Sequence, residues 1–565
     1  MIEKAKKQID EIIVKAFENA QKAGVLPEGE ALQGAVEVPR DTSHGDYAAT
    51  HALAAARALK LPPRKIAETL AEHIDFDGSY FTSLSIAGPG YINFTLADKW
   101  YGDVLREVES MGTDYGTIDY GGGARVMVEF VSANPTGPMT IGNARGGVLG
   151  DTLAAILQRA GYNVWREFFV NDAGNQIDLF GRSIDARYMQ LCLGEDNFAF
   201  PEDGYHGDDV RELAKLIYDA EGDALKTLPV EERIKRFTEF GLPHNIALMR
   251  THLERYRINF DEWFLESSLH ESGYVADTVT RLEKGGLCYE KDDALWLRNM
   301  EFGADKDEVL RRSNGFYTYY AADIAYHRNK LERGFDRIIN VFGADHHGHT
   351  IRLKATMCAP GLCETFGIDG NRIEFLLMQM VHMTRDGESV KVSKRTGKAL
   401  TLNDLLDEIS VDACRFFFNA RPDSHLEFDL GLAVRQDSDN PVYYVQYAHA
   451  RICSLIAALA AEGFDVMNCA DINTNLLTSE AEIALIKQIA QFPEEIRLAA
   501  RESDPSRINK FVVELAARFH RFYTVCRIKG EERELLLARL KLADTTRAVI
   551  KNALDLLGVT APEKM

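Results

Sequence analysis

Residues 125–170 limit the possible folds of this chain more than any other segment. The run RVMVEFVS (125–132) is rich in β-branched residues and predicts a buried strand. A glycine-containing loop and a helix follow, Gly161 ends that helix, and VWREFFV (164–170) predicts a second strand. The apolar face of the helix carries Leu149, Leu153, Ile156 and Leu157. This order is a βαβ unit, so we predict an α/β fold with a Rossmann-like, doubly wound parallel sheet.

The chain is too long for one hydrophobic core, because it has 565 residues. Helical and strand patterns alternate over residues 1–118, which predicts a small α+β domain that ends near a run of three glycines. We assign residues 119–404 to the Rossmann-like domain, with an acidic, mostly helical insertion over about 195–275. Helical periodicity dominates residues 405–565, which predicts an all-α C-terminal domain.

Local patterns predict several individual elements. In the first domain we expect a strand over 34–39 and an alanine-rich helix from about 47 to 60. The parallel sheet is expected to continue with RIINVFG (337–343) and with EFLLMQMVHM (374–383).

The charge is unevenly distributed. The net charge is −21, but residues 441–565 hold 16 Lys and Arg against 16 Asp and Glu. A polyanion would therefore be repelled least by the C-terminal region. No stretch approaches the ~20 apolar residues that span a bilayer, and the start of the chain does not resemble a signal peptide. With eight cysteines and no CxxC pair, we expect a soluble, cytoplasmic protein with reduced thiols and no membrane partner.

The first candidate binding motif is VSANPTGPMTIGNARGG (131–147), which lies between a strand and a helix. Its glycines allow a ligand to approach the backbone closely. The N-terminus of the following helix offers free N–H groups and a positive dipole to an anion. Thr136, Thr140 and Asn143 can donate hydrogen bonds to phosphate oxygens. Taken alone, the motif is also compatible with a tight structural turn.

The second candidate motif is GESVKVSKRTGK (387–398). Lys391, Lys394, Arg395 and Lys398 lie within eight residues and are separated by small residues. Such a loop suits a clamp on a polyphosphate, where charge develops on the leaving pyrophosphate. A solvated basic loop is the alternative for this motif alone.

Together the two motifs resemble the HIGH and KMSKS signatures of class I aminoacyl-tRNA synthetases. They read Thr140-Ile141-Gly142-Asn143 and Lys391-Val392-Ser393-Lys394-Arg395 here. The flanking segments are similar to those of arginyl-tRNA synthetases of the bacterial type. These segments are SANPTGP, NDAGNQ (171–176), FYTYYAADIAYH (316–327), GADHHGH (343–349) and NPVYYVQYAHAR (440–451).

The resemblance implies a ligase that activates L-arginine with ATP and transfers it to tRNA(Arg), with Mg²⁺ on the ATP phosphates. Activation in this family usually requires bound tRNA. The implied domain roles are tRNA contact for residues 1–118, class I catalysis for 119–404 and anticodon binding for 405–565. A monomer without protein-bound zinc is the family's usual form.

The resemblance also implies roles for individual residues. The catalytic residues would be Thr140, Asn143, Lys391 and Lys394. ATP would be bound by Pro138, Gly142, Asn143, Gly343, Asp345, His346, Lys391, Ser393 and Lys394. Arginine would be bound by Ser132, Asn134, Tyr319, Asp323 and His346. The signature loop would comprise Ala133, Asn134, Pro135, Thr136, Gly137, Pro138, Met139, Thr140, Ile141, Gly142 and Asn143. The tRNA would be read by Tyr443, Tyr447 and Arg451.

Three of these assignments have simpler alternatives. Asp323 suits a guanidinium, because a carboxylate accepts two parallel N–H bonds; the alternative is that it only caps a helix or pairs within the fold. Tyr447 could stack on an unpaired base or simply pack within a helix bundle. His346, His347 and His349 beside Asp345 also resemble a metal cluster, although no second group of ligands is evident.

One residue departs from the family pattern. Histidine is usual at the first HIGH position, and Thr140 occupies it here. A hydroxyl can donate to a phosphate oxygen but carries no positive charge, so a slower activation step is conceivable. The alternatives are a cysteinyl- or glutamyl-type class I synthetase, a non-catalytic tRNA-binding paralogue and a small-molecule nucleotidyltransferase. Lys391 and Lys394 argue against the paralogue, and the long helical C-terminal region argues against the nucleotidyltransferase.

Overall fold

The architecture comes from a computed structural model with three regions that pack against one another. Among the described residues, no helix is long and apolar enough to cross a membrane. The structure describes residues 1–29, 32–39, 41, 44–390, 400–420 and 424–565.

The first region is a four-stranded antiparallel sheet with helices packed against it, in the strand order β1-β2-β4-β3. The first helix buries Ile9, Ile13 and Phe17, as its spacing predicts. The elements are α1 (Ile2–Lys22), β1 (Val36–Glu37), β2 (Tyr47–Ala49), α2 (His51–Leu59), α3 (Pro63–His73), β3 (Phe81–Ala87), β4 (Tyr91–Leu96) and α4 (Asp98–Met111).

The helix predicted over 47–60 is partly wrong. Tyr47–Ala49 is strand β2, and the helix begins only at His51. Tyr47 lies opposite Phe94 of β4, so pairing with a distant strand overrides the helical preference of the alanines.

The second region contains the predicted parallel sheet, with five strands in the order β12-β11-β5-β6-β7. Its elements up to the end of the insertion are β5 (Arg125–Glu129), α5 (Ile141–Arg159), β6 (Asn163–Val170), α6 (Asn175–Leu193), α7 (Asp208–Glu221) and α8 (Val230–Arg255). The elements that follow are β7 (Glu262–Leu265), α9 (Glu266–Glu271), α10 (Tyr274–Lys284), β8 (Cys288–Lys291), β9 (Ala294–Leu297), β10 (Glu308–Arg311), α11 (Tyr319–Glu332), β11 (Arg337–Gly343), α12 (His347–Met357), α13 (Pro360–Phe366) and β12 (Ile373–Met378).

Two predictions for this region need correction. The helical insertion predicted over 195–275 contains β7, a strand of the main sheet that pairs with β6. The strand predicted over 374–383 is two strands, because β12 ends at Met378 and β13 (Val381–Arg385) joins a different sheet. An apolar run does not show by itself where the chain leaves one sheet for another.

Helix α5 packs unusually closely on the end of β5. A Cβ on Gly150 would lie 2.2 Å from Cγ of Phe130, so only glycine fits there. This contact fixes the helix whose N-terminus follows the signature loop.

The prediction of an all-α region over 405–565 holds from α17 (Pro441–Ala461) onward but needs correction before it, because a strand formed by pairing with a distant segment lies there. Tyr115 lies in the segment between α4 and β5. It connects this segment to the C-terminal region by donating a hydrogen bond from its hydroxyl to the carbonyl oxygen of Ile489, at 3.1 Å. One short strand, β15, precedes the bundle and pairs with β13 in parallel. The elements are β14 (Glu388–Ser389), α14 (Leu402–Glu408), α15 (Val411–Phe418), β15 (Leu426–Asp429), α16 (Leu430–Ala433), α17 (Pro441–Ala461), α18 (Glu480–Ala490), α19 (Phe492–Glu502), α20 (Ser506–Val525) and α21 (Arg533–Leu557).

Candidate active site

A cavity of about 830 Å³ opens at the carboxyl ends of the central parallel strands. This is where doubly wound sheets usually bind ligands. The structure brings most of the predicted site residues together there. Those that line the cavity are Ser132, Ala133, Asn134, Thr136, Gly137, Pro138, Thr140, Gly142, Asn143, Tyr319, Asp323, Gly343, Asp345 and His346.

The other predicted residues lie elsewhere or cannot be placed. Pro135, Met139 and Ile141 belong to the signature loop but do not line the cavity. Lys391, Ser393 and Lys394, with the rest of the second motif over 391–398, lie outside the described residues. Tyr443, Tyr447 and Arg451 lie on α17.

The turn that leads from β5 into the signature loop has an unusual backbone. Val131 and Ser132 both have positive φ, at 67° and 39°. A β-branched residue rarely adopts this conformation, which costs about 1–3 kcal/mol and is typical of functional sites. Ser132 Oγ stabilises the turn by donating to Glu129 Oε1 at 2.8 Å and accepting from the Phe169 amide at 3.2 Å. The turn carries the chain into the cavity wall.

At this wall, the side chain of Asn134 donates from Nδ2 to Gln176 Oε1 at 2.8 Å. Gln176 also lines the cavity and belongs to the NDAGNQ segment. The structure therefore places two of the segments that carry the family resemblance side by side.

Thr140 caps helix α5 in a reciprocal arrangement with Asn143. The Thr140 hydroxyl donates to Asn143 Oδ1 at 2.8 Å and accepts from the Asn143 amide at 3.3 Å. The Thr140 amide donates to the same Oδ1 at 2.9 Å. The residue that departs from the family pattern therefore suits the start of a helix, since threonine is a favoured N-cap.

The first motif also contacts the segment that follows the second one. The Leu402 amide donates to the carbonyl oxygen of Met139 at 2.9 Å, and Thr140 pairs with Thr401 in an isolated β-bridge. The described chain resumes at residue 400, and these contacts place Thr401 and Leu402 beside the first motif.

The inner part of the cavity is acidic. Asp323 is buried on the first turns of α11, and its carboxylate raises the pKa of the adjacent Tyr319 hydroxyl. Glu129 and Glu266 are also buried and act on Tyr319 in the same direction. Burial raises the pKa of Glu266, and the charge of Asp323 adds to this effect. The charges of three carboxylates thus act on one tyrosine hydroxyl, and two of them, Asp323 and Glu129, line the cavity, which favours a cationic ligand.

Two basic side chains belong to this acidic group. Lys330 Nζ donates to Glu129 Oε2 at 2.5 Å, and both side chains are buried. His349 Nε2 lies 2.9 Å from Asp323 Oδ2. Sequence reasoning did not assign Glu129, Glu266 or His349 to the site. The sequence does contain an indication for Glu129, because it lies within the apolar run VMVEFV. Burying a carboxylate is costly unless it is paired, so such a residue often has a structural or functional partner.

Asp345 and His346 follow the end of β11 and are more exposed than the acidic group. His346 Nε2 lies 3.8 Å from Asp345 Oδ2, and its ring centroid lies 5.7 Å from that of Phe342. His349 points to Asp323 instead, so the histidines of this segment have different neighbours. Within the described ranges, no group of three or more His, Cys, Asp or Glu residues could hold a metal ion.

Family models match almost the whole chain. The model described as "tRNA synthetases class I (R), catalytic domain" matches residues 111–429. "Arginyl tRNA synthetase N terminal domain" matches residues 3–96, and "DALR anticodon binding domain" matches residues 445–565. The arginine--tRNA ligase of Acetivibrio thermocellus is 48% identical, and that of Caldanaerobacter subterraneus is 50% identical; each alignment covers 100% of both chains. The chain belongs to the arginyl-tRNA synthetase family.

Solved structures with arginyl-tRNA synthetase titles share this fold. A putative arginyl-tRNA synthetase from Campylobacter jejuni is 33% identical with a TM-score of 0.75, covering 83% of this chain and 100% of that chain. The Thermus thermophilus arginyl-tRNA synthetase has a TM-score of 0.72 over 99% of this chain and 100% of that chain. At 20% identity the second likeness supports the fold alone. The predicted family and fold class are therefore confirmed.

In this arginyl-tRNA synthetase, the residues predicted to read tRNA lie on α17, where they contact aromatic side chains. Tyr443 and Tyr447 have nearly parallel rings with centroids 6.2 Å apart, and Tyr447 lies 5.9 Å from His520 of α20. The Arg451 guanidinium lies over the Tyr523 ring at 4.2 Å. The Tyr447 side chain is 41% exposed although its ring lies near His520, so both of its predicted roles stay predictions.

Proposed function

We propose that this chain activates L-arginine with ATP and transfers the arginyl group to tRNA(Arg). The observation that carries the proposal is the polarity of the cavity. Its inner part is lined by buried carboxylates, and its other side is a glycine-containing loop that leads into a helix N-terminus. The first part suits a guanidinium and the second suits phosphates.

The guanidinium of arginine would lie between Asp323, Glu129 and Tyr319. Its five N–H donors form a planar fork, and a carboxylate can accept two of them in parallel. The Tyr319 hydroxyl would accept a hydrogen bond from an N–H at the edge of the guanidinium. Ser132 would not contact arginine directly but would orient the Glu129 carboxylate. Lysine would make fewer bonds, and citrulline would bring no charge, so buried carboxylates would be left unpaired.

The α-amino and carboxylate groups would extend toward Asn134, with His346 on the opposite side. The adenine, ribose and phosphates of ATP would lie along Pro138, Gly142, Asn143, Gly343, Asp345 and His346. Lys391, Ser393 and Lys394 would close over the phosphates. The bond between the Leu402 amide and the Met139 carbonyl oxygen supports this last step, because it holds a residue that follows the second motif in sequence beside the first motif.

In the first step, a carboxylate oxygen of arginine attacks the α-phosphorus of ATP. The bond from the α-phosphorus to the bridging oxygen breaks, and pyrophosphate leaves with that electron pair. Mg²⁺ bound to ATP would offset the phosphate charge. No protein nucleophile takes part, so the residues contribute position and charge stabilisation. In the second step, a hydroxyl of the terminal ribose attacks the arginyl carbonyl, loses its proton and displaces AMP.

Thr140 would have to exchange partners during this reaction. A hydroxyl has one proton, and Thr140 donates it to Asn143 Oδ1. Donation to a phosphate would release this bond, while the amides of the first helical turn could bind phosphate with the cap in place. We therefore expect Thr140 and Asn143 to act as a unit.

The tRNA would contact more than the catalytic region. We propose that Tyr443, Tyr447 and Arg451 bind unpaired anticodon bases through stacking and a cationic contact. Residues 1–118 would contact the tRNA as well. We expect a cytoplasmic monomer without protein-bound zinc.

The deciding experiment is ATP–pyrophosphate exchange with arginine, lysine and citrulline, each with and without tRNA(Arg). We expect exchange with arginine alone, and only when tRNA is present. Exchange with another amino acid would contradict the specificity. Intact tRNA binding without any exchange would favour the non-catalytic paralogue.

A further inference from the structure

A short basic and aromatic turn precedes α11, whose first residue, Tyr319, lines the cavity. Strand β10 ends at Arg311, and the chain reverses through residues 312–316. The Arg312 amide donates to the Phe316 carbonyl oxygen at 2.9 Å, and Arg311 pairs with Tyr317 in an isolated bridge. We call residues 311–316 the basic turn. Tyr319 lines the cavity only three residues beyond Phe316, a separation of at most about 10 Å along the chain.

Phe316 is not used by the fold. Its side chain is 71% exposed, the largest value among the large apolar side chains described as exposed. The neighbouring Tyr317 packs against a hydrophobic cluster of the catalytic region, and Phe316 is absent from every cluster that the described residues form. A flat apolar ring therefore stands in solvent three residues before Tyr319, which lines the cavity.

The cations of the basic turn are also unused. Over the described ranges, neither Arg311 nor Arg312 forms an ion pair. Nearby carboxylates pair with other cations, since Glu308 binds Arg352 and Lys306. The chain has a net charge of −21, but these two unpaired arginines give the basic turn a local positive charge beside an exposed phenylalanine. This charge would attract a polyanion.

We propose that the basic turn binds the unpaired 3′ end of the tRNA, with a base stacked on Phe316 and phosphates held by Arg311 and Arg312. This inference rests on the proposed function. Transfer requires the terminal ribose to enter the cavity, so the nucleotides before it must cross the mouth. Stacking on an aromatic ring with cations on the backbone is the usual way to hold single-stranded nucleic acid without reading its sequence.

The test combines variants of Phe316 with two forms of tRNA(Arg), one intact and one trimmed of its unpaired 3′ nucleotides. The dissociation constant of each pair is measured by fluorescence anisotropy at fixed salt. We expect Phe316→Ala and Phe316→Leu to weaken binding of intact tRNA about tenfold, which equals ~1.4 kcal/mol of lost stacking. Phe316→Trp should bind as the wild type does, because it keeps a flat ring. Neither loss should appear with trimmed tRNA.

The matched control is Met300→Ala, which removes another exposed apolar side chain, from the 3-10 helix Asn299–Phe302 that follows β9. Met300 follows β9 beyond Leu297, which pairs with Glu308 at the opposite end of β10 from Arg311. It should leave both affinities unchanged. A second measurement is the salt dependence of binding for Arg312→Gln, whose slope should fall by about 0.7 if one phosphate contact is lost.

Equal weakening of intact and trimmed tRNA would overturn the proposal and point to a contact elsewhere on the RNA. Unchanged binding in all Phe316 variants would overturn it too, and would leave a protein partner as the remaining use of the exposed ring. Failure of the proposed function has a different signature, because the wild-type chain would then not arginylate intact tRNA at all.

Discussion

The ammonium group of Lys330 lies 2.5 Å from Glu129 Oε2, with both side chains buried beneath the acidic part of the cavity. Lys330 also donates to Asn340 Oδ1 at 2.6 Å, and the other oxygen of Glu129 accepts from Ser132. This pair links α11 to the end of β5. The Lys330 ammonium group therefore already pairs with Glu129, one of the carboxylates beside which the substrate's guanidinium is expected to bind.

Replacing Lys330 with methionine should destabilise the protein strongly. The change leaves Glu129 buried without its partner, which costs about 3–5 kcal/mol for a pair of this kind. Urea denaturation measures the free energy of unfolding. The control is Lys551→Met, whose exposed pair with Asp555 should contribute at most about 1 kcal/mol. Similar losses in the two variants would show that burial of the Lys330 pair does not matter.

Asp323→Asn should abolish arginine selection without unfolding the protein. The charge-assisted bonds to a guanidinium are lost, so kcat/KM for arginine should fall about 100-fold, or ~2.7 kcal/mol. The protein should stay folded, because relief from the other buried carboxylates offsets the weakened contact between Asp323 and His349. Tyr319 would also lose its nearest negative charge. Exchange kinetics test the fall in kcat/KM, and denaturation tests the retained stability. The control is Glu364→Gln, at an exposed position on α13. An unchanged kcat/KM would mean that Asp323 only pairs within the fold.

The sequence predicts the central βαβ unit well because each of its signals is local. A β-branched run, a glycine-rich loop and a helix of period 3.6 each indicate one element, and all three agree. The failures occur where distant partners decide. Tyr47–Ala49 is a strand because of β4, and Glu262–Leu265 becomes a strand by pairing with β6.

The candidate site shows the same limit. Residues of one contiguous motif, such as Asn134 and Thr140, could be assigned from the sequence. Glu129, Glu266 and His349 come from three separate segments and meet only in the folded chain. No local pattern indicates that a carboxylate after β7 faces one on α11. Such clusters can be found only after the sheet order is known.

Thr140→Ala should lower both stability and rate. The loss of an N-cap costs about 1 kcal/mol, and the amides at the start of α5 lose their fixed arrangement. Thr140→Ser keeps the hydroxyl and should restore both. The control is Ser410→Ala, which removes the cap of α15. It should cost similar stability but leave kcat unchanged. Equal kcat values for Thr140→Ala and the wild type would show that the cap has no role in catalysis.

His327 should make the stability of the protein depend on pH. It is fully buried, and burial lowers its pKa well below the usual value of 6.5, with Lys330 adding to the effect. The folded protein therefore keeps this imidazole neutral in mildly acidic solution, whereas the unfolded chain takes up a proton below about pH 6.5. The contribution of His327 is thus present above pH 6.5 and is lost as the pH falls, by about 1.4 kcal/mol for each pH unit.

Other buried histidines shift in the same direction, so the curve of the wild-type protein alone cannot isolate His327. A difference measurement can, because His327→Gln is neutral at every pH and has no proton to gain on unfolding. We expect the difference in unfolding free energy between wild type and variant to be constant from pH 8 to 7. Between pH 6.5 and 5, the unfolding free energy of the wild type should fall relative to that of the variant. His382→Gln, at an exposed position, should give no such shift. Parallel curves for the wild type and His327→Gln would show that His327 has the same pKa in the folded and unfolded states, and that burial in α11 does not lower it.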